Sequence, residues 1–132
     1  MSGVNIWAVL VAAVSSFALG GLWYSPVLFH KVWNREAGRG ENPEKMKHPG
    51  RVFGTAFVFA LLAAWVFASW LGPDPELRDA LMKGLAAGAG FVAASFGINY
   101  QFANRSFLMW AIDGGYHTVQ FVIFALVLSL WP

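Results

Sequence analysis

The chain has 132 residues, of which 58% are hydrophobic and 12% charged, with a formal net charge of +2. A soluble domain carries roughly 45–50% apolar and about 25% charged residues, and a soluble chain this short lacks the interior volume to hide the excess. The composition therefore excludes an ordinary water-soluble domain, and a weak positive balance gathered mostly in one loop excludes a nucleic-acid partner. With no cysteine there is no disulfide, thiolate metal site or cysteine nucleophile.

Four apolar stretches follow one another at about 4–29, 52–71, 80–101 and 107–131. Each meets or approaches the roughly 20 residues that a helix needs to cross hydrocarbon. They are too long, and too little alternating, for membrane β-strands. The expected fold is all-α, a single-domain integral membrane four-helix bundle with four transmembrane spans and both termini on the same side. In the first stretch no Lys or Arg precedes the apolar run, and the run continues past Ala18-Leu19-Gly20. It reads as a span rather than a cleaved signal peptide. Pro26 closes it.

The polar segment at about 30–51 follows, broken by Gly38, Gly40, Pro43, Pro49 and Gly50. Its cations are Lys31, Arg35, Arg39, Lys45, Lys47 and Arg51, and Arg105 joins them on the same side. Only Arg78 and Lys83 lie opposite. The positive-inside rule then puts this segment in the cytoplasm and both termini outside it. The segment reads first as a topology determinant, with attraction to anionic lipid as a second role. Asn104-Arg105-Ser106 matches a glycosylation acceptor but would face the cytoplasm.

Gly72-Pro73-Asp74-Pro75 separates the second and third stretches. Small residues recur at helical spacing: Ala8, Ala12, Ser16 and Gly20; Ala56, Ala60, Ala64 and Ala68; Gly84, Gly88, Gly90, Ala94 and Gly97. In lipid, where apolar burial does not drive helix association, such faces allow close backbone approach. Phe57, Trp65, Phe67 and Phe91 are expected to turn mostly to lipid or to another protomer. Gly21-x-x-Tyr24 and Gly97-x-x-Tyr100 form a weak echo of the kind a repeated hairpin leaves, which chance in apolar sequence also produces.

The fourth stretch carries the most informative residues. Asp113, Tyr116, His117 and Gln120 fall at i, i+3, i+4 and i+7, on one helical face. An Asp at mid-membrane costs about 3 kcal/mol on insertion scales, so this face must meet protein or water. Read functionally, Asp113 and His117 form an acid–base pair that passes a proton or binds a cation. Read structurally, Asp113 accepts hydrogen bonds from Trp, Tyr, Asn or Arg105 and locks the bundle. Asn99, Arg105, Trp23 and Tyr24, at neighbouring helix ends, are expected to complete the site. Arg105 either pairs with Asp113 or reaches lipid phosphate. One Asp and one His at this spacing make no zinc motif, so neither a metal nor another cofactor is expected.

Leu19-Gly-Gly-Leu-Trp-Tyr-Ser-Pro26 and Trp110-Ala-Ile-Asp-Gly-Gly-Tyr-His-Thr-Val-Gln-Phe121, with Asn5 and the segment Asn99 to Ser106, make the chain resemble a known family. It resembles the uncharacterised bacterial membrane family called domain of unknown function seventeen-sixty-one. The resemblance implies a small four-span protein of the bacterial cytoplasmic (inner) membrane. It supplies no activity and no functional residues.

The leading expectation is transport of a proton, ion or small solute through the Asp113/His117 pair. The alternative is a non-catalytic structural or accessory protein whose polar fourth-helix face packs the bundle or docks a partner. A membrane enzyme acting on a lipid-like substrate comes third, and enzymatic activity is not the expectation. The expected partners are the lipid bilayer, further copies of the chain, and a small ion or solute.

Overall fold

The structure is a computed structural model, and it describes residues 3–39 and 46–132. The described residues form five helices: α1 (Ile6–Trp23), α2 (His30–Glu36), α3 (Pro49–Leu71), α4 (Leu77–Phe102) and α5 (Phe107–Leu130). Four of them, all but α2, are long and apolar enough to cross a membrane. No strand occurs among the described residues. Gly40, Pro43 and Lys45 of the polar segment lie outside them.

Local chemistry sets the helix ends. The Asn5 side chain caps α1 by accepting from the backbone N–H groups of Trp7 and Ala8, at 3.1 and 3.2 Å. Ser106 caps α5 in the same way, accepting from Met109 at 3.1 Å. Gly72, at φ 80°, ends α3 in a conformation that favours glycine.

The first apolar run does not stay helical to residue 29. A proline disfavours helical geometry in the residue before it, and α1 stops at Trp23, ahead of Ser25-Pro26. Residues 24–29 fold into tight turns, including Phe29 N–H to Trp23 carbonyl at 3.1 Å and His30 N–H to Ser25 carbonyl at 3.1 Å. The expected open loop then begins with a seven-residue helix, α2. At the other boundaries α3 begins at Pro49, where proline suits the first helical turn, and α4 begins at Leu77.

Two sets of contacts fix the up-and-down order. At one end the Asn5 amide donates to the carbonyls of Trp131 and Pro132, each at 3.3 Å. At the other, an Arg105 guanidinium nitrogen lies 3.4 Å from the Ala37 carbonyl oxygen. Nearby Ser106, aided by neighbouring Arg35, holds the Glu36 carboxyl below its ordinary value. Both termini therefore share one end of the bundle. Residues 24–39 share the other with the α4–α5 turn.

Helix α5 is central. It packs on α1 and α4, whereas α3 packs chiefly on α1. The contact with α4 is made backbone to backbone. A Cβ built on Gly84 would lie 2.6 Å from the Phe121 carbonyl oxygen, and one on Gly88 would lie 2.6 Å from the Thr118 Cα. Residues Ala86–Ala93 are π-helical, and this changes which small residues face α5. The contact row is Ala80, Gly84, Gly88, Ala93 and Gly97, with a step of five across the π stretch. A π turn holds more residues than an α turn, so a step of five there keeps the row on one face. Gly90 and Ala94 of the expected stripe fall outside it: both are exposed, and a Cβ on Gly90 would meet nothing.

The half of the bundle nearest the termini is apolar, with Ala12, Ala64, Phe67, Phe124 and Leu128 buried together. Phe67 does not face lipid as expected. It is 3% exposed, with its ring 5.4 Å from that of Phe121. Phe57 is half-buried edge-on against Phe17, while Phe91 does face outward. Ala60, Ala64 and Ala68 form the buried side of α3, and Ala56 lies outside it. Val14, Leu22, Val58, Phe59 and Phe91 are exposed. Such an apolar exterior suits a multi-pass membrane protein.

The glycine contact predicts that Gly88→Val, whose side chain meets the Thr118 backbone, costs about 1–3 kcal/mol or more. Gly90→Val, on open surface, should leave stability nearly unchanged. Thermal unfolding of the purified protein in detergent compares the two, and equal losses would contradict this packing.

Candidate functional site

Asp113 lies about 9 Å along α5 from Phe107, inside the end of the bundle near the polar segment. It is 6% exposed. One carboxylate oxygen accepts from the Tyr24 hydroxyl at 2.5 Å and the Trp33 indole N–H at 3.0 Å. The other accepts from the Tyr100 hydroxyl at 2.5 Å and the same indole at 3.2 Å. All three donors are neutral, and Asp113 has no ion-pair partner among the described residues. An ionised carboxylate only accepts, and three converging donors fill most of its roughly four acceptor sites.

Each donor comes from a different segment. Tyr24 is the residue at which α1 ends, Trp33 is in α2, and Tyr100 is in the last turn of α4. The early stop of α1 makes this possible. The turns of residues 24–29 send the chain back toward the bundle, and α2 delivers the Trp33 indole to a residue 80 positions away. Buried Asn34 supports α2 from within, its amide nitrogen 3.3 Å from the His30 ring.

The polar face continues along α5 toward mid-membrane. The Tyr116 hydroxyl donates to the Ser16 carbonyl at 3.0 Å, and its ring lies 5.7 Å from that of Tyr24. His117 Nδ1 pairs with Gln120 Oε1 at 2.8 Å, and the ring stacks on Phe96 at 5.1 Å. The Gln120 amide reaches the Ser16 hydroxyl at 3.5 Å. Here the ladder ends, because Phe124 and Ala12 beyond it are fully buried. Among the described residues no buried side-chain N or O atom lacks a partner.

Six of the eight residues expected at the site line this ladder or pack against it. Trp23 is one of them: its indole donates to the Ile112 carbonyl at 2.9 Å, and its ring closes over Gly115. Two do not join. Asn99 is exposed on the outer side of α4. Arg105 bonds the Ala37 carbonyl and does not pair with Asp113. Asp113 and His117, paired only in the functional reading of this face, do not bond each other: Tyr24, Trp33 and Tyr100 take the carboxylate while Gln120 takes the imidazole.

Trp33, Tyr100 and Ser16 belong to the site without having been expected there. Trp33 and Tyr100 carry the ordinary signal of interfacial aromatics, and nothing in their spacing separates a lipid-facing ring from an inward donor. Trp110 is a further such case. Its indole donates to the Ala93 carbonyl at 2.7 Å, where the π stretch returns to α-helix. Among the described residues, no three His, Asp or Glu side chains gather closely enough to hold a metal ion.

Trp33→Phe removes the one donor that α2 contributes to Asp113 while keeping an aromatic ring. It should cost about 1.5–3 kcal/mol, the worth of a hydrogen bond to a charged group. Hydrogen exchange should accelerate across α2 and much less in α5. Unchanged protection of α2 would contradict the tie.

No curated protein and no solved structure matches the chain significantly. The model of one uncharacterised family, described as Protein of unknown function (DUF1761), matches residues 7–129, which includes every residue of the Asp113 ladder. The match spans nearly the whole sequence, and the chain belongs to this family.

Proposed function

We propose that the protein is a non-catalytic accessory protein of the cytoplasmic membrane, whose polar fourth-helix face serves to hold the bundle and its basic segment in one arrangement. The observation that carries this reading is the acceptance of three donors at Asp113, which ties the end of α1, α2 and α4 to α5. A carboxylate so enclosed is already matched by the protein. The apolar plug around Phe124 adds support, because the polar ladder stops about halfway along α5.

What the clamp leaves accessible is charge. Lys31, Arg35 and Arg39 are exposed on and after α2, and Lys47 and Arg51 are exposed at the start of α3. By the positive-inside rule this end faces the cytoplasm and the termini face away from it. The exposed apolar rings of α3 and α4 suit association with further copies in the bilayer.

Transport is the second reading, and the ladder itself favours it. Tyr24, Asp113, Tyr116, His117, Gln120 and Ser16 make a nearly continuous line of proton-capable or polar groups from the polar end toward mid-membrane. On this reading the plug at Phe124 must open for passage.

One substitution separates the two. Under the accessory reading Asp113→Asn lowers stability by about 1.5–3 kcal/mol, and wild-type protein in liposomes shows no pH-driven flux. Wild-type flux that Asp113→Asn abolishes without loss of melting temperature would replace the accessory reading with transport.

A further inference from the structure

A second feature lies at the same end of the molecule, away from Asp113. An open trough of about 420 Å³ runs along the outer side of the first turns of α3. Lys47, His48 and Arg51 form its upper wall, and Val52, Thr55, Ala56 and Phe59 its lower wall. All seven residues are exposed. Neither Lys47 nor Arg51 has an ion-pair partner among the described residues.

The two walls ask for different chemistry. Two basic side chains and an imidazole attract an anion. The side chains below stand on the outward face of a helix long and apolar enough to cross the membrane, where acyl chains are the neighbouring solvent. A free anion would satisfy only the upper wall, and a zwitterionic lipid would bring a cation back to it. A ligand with an anionic head and apolar chains satisfies both. The end bearing most of the chain's cations is also the one that faces the anionic leaflet by the charge rule.

We infer that this trough is a binding site for an anionic phospholipid, with the phosphate held by Lys47, His48 and Arg51 and an acyl chain lying along Val52, Ala56 and Phe59. Nothing in this inference depends on whether Asp113 serves packing or transport. The site places a headgroup beside the segment that α2 begins, so lipid composition would act on the basic face directly.

The test uses the full chain in detergent, with phosphatidylglycerol and phosphatidylcholine added in turn and bound lipid counted by native mass spectrometry. Phosphatidylglycerol should be retained and phosphatidylcholine should not. Lys47→Gln with Arg51→Gln should weaken retention roughly thirtyfold, as expected for two basic side chains at an anionic surface. Lys31→Gln with Arg35→Gln removes the same charge from α2 and should change retention less than threefold. Ala56→Trp fills the lower wall at unchanged charge and should also reduce retention, with helix content and monodispersity intact. Equal losses in the two charge pairs would reduce the site to diffuse attraction and overturn the proposal. Displacement of the lipid by millimolar inorganic phosphate would make it a free-anion site instead. Loss of self-association in Ala56→Trp, with lipid retention unchanged, would assign the trough to a second copy of the chain.

Discussion

A carboxylate inside a bilayer-spanning bundle must find its hydrogen bonds within the protein, and this requirement organises one whole end of the molecule. Asp113 meets it with two phenol hydroxyls and an indole N–H, supplied by three different segments. Insertion of such a group costs about 3 kcal/mol. Each hydrogen bond to a charge returns about 1.5–3 kcal/mol. The set as a whole turns a liability into a tie, but only when all the segments are in place. That condition links local features that otherwise look unrelated: the stop of α1 at Trp23, the tight turns after it, and the short helix that carries Trp33.

The tie needs α4 and α5 close together, and glycine supplies the closeness. Gly84 and Gly88 let the two backbones meet, and the π stretch adds the extra residue that keeps Ala93 and Gly97 on the same side. Tyr100 then stands one turn beyond Gly97, where its hydroxyl reaches Asp113. The Trp110 indole bonds the Ala93 carbonyl where the helix returns to α geometry. Close packing and polar satisfaction are thus two parts of one arrangement. The apolar half, around Phe67 and Phe124, needs neither device and is filled by side chains alone.

Much of this was legible in the residues. The four apolar stretches, their antiparallel order and the inward polar face of α5 all follow from hydropathy and helical spacing. The nature of Asp113's partners was legible too, since Trp and Tyr were among the donors expected for a structural carboxylate. Their identity was not. Trp33 sits in a charged segment, on a seven-residue helix that has little stability of its own. The π stretch was hidden because small apolar residues fit α and π geometry alike, which is why Gly90 was expected on a face it does not share. Whether Asp113 and His117 bond each other was hidden for a different reason. Spacing puts two side chains on one face, but competing partners decide whether they meet, and Tyr24 and Gln120 lie on either side of that choice.

The central claim is that Asp113 and its donors form one cooperative tie. A double-mutant cycle measures that directly, with Asp113→Ala and Tyr100→Phe made singly and together and reversible unfolding followed in detergent. The account predicts a coupling of about 1–3 kcal/mol between the two substitutions, the range for groups that share a hydrogen-bond network. Losses that add to within about 0.5 kcal/mol would mean that the two side chains act independently, and would contradict it.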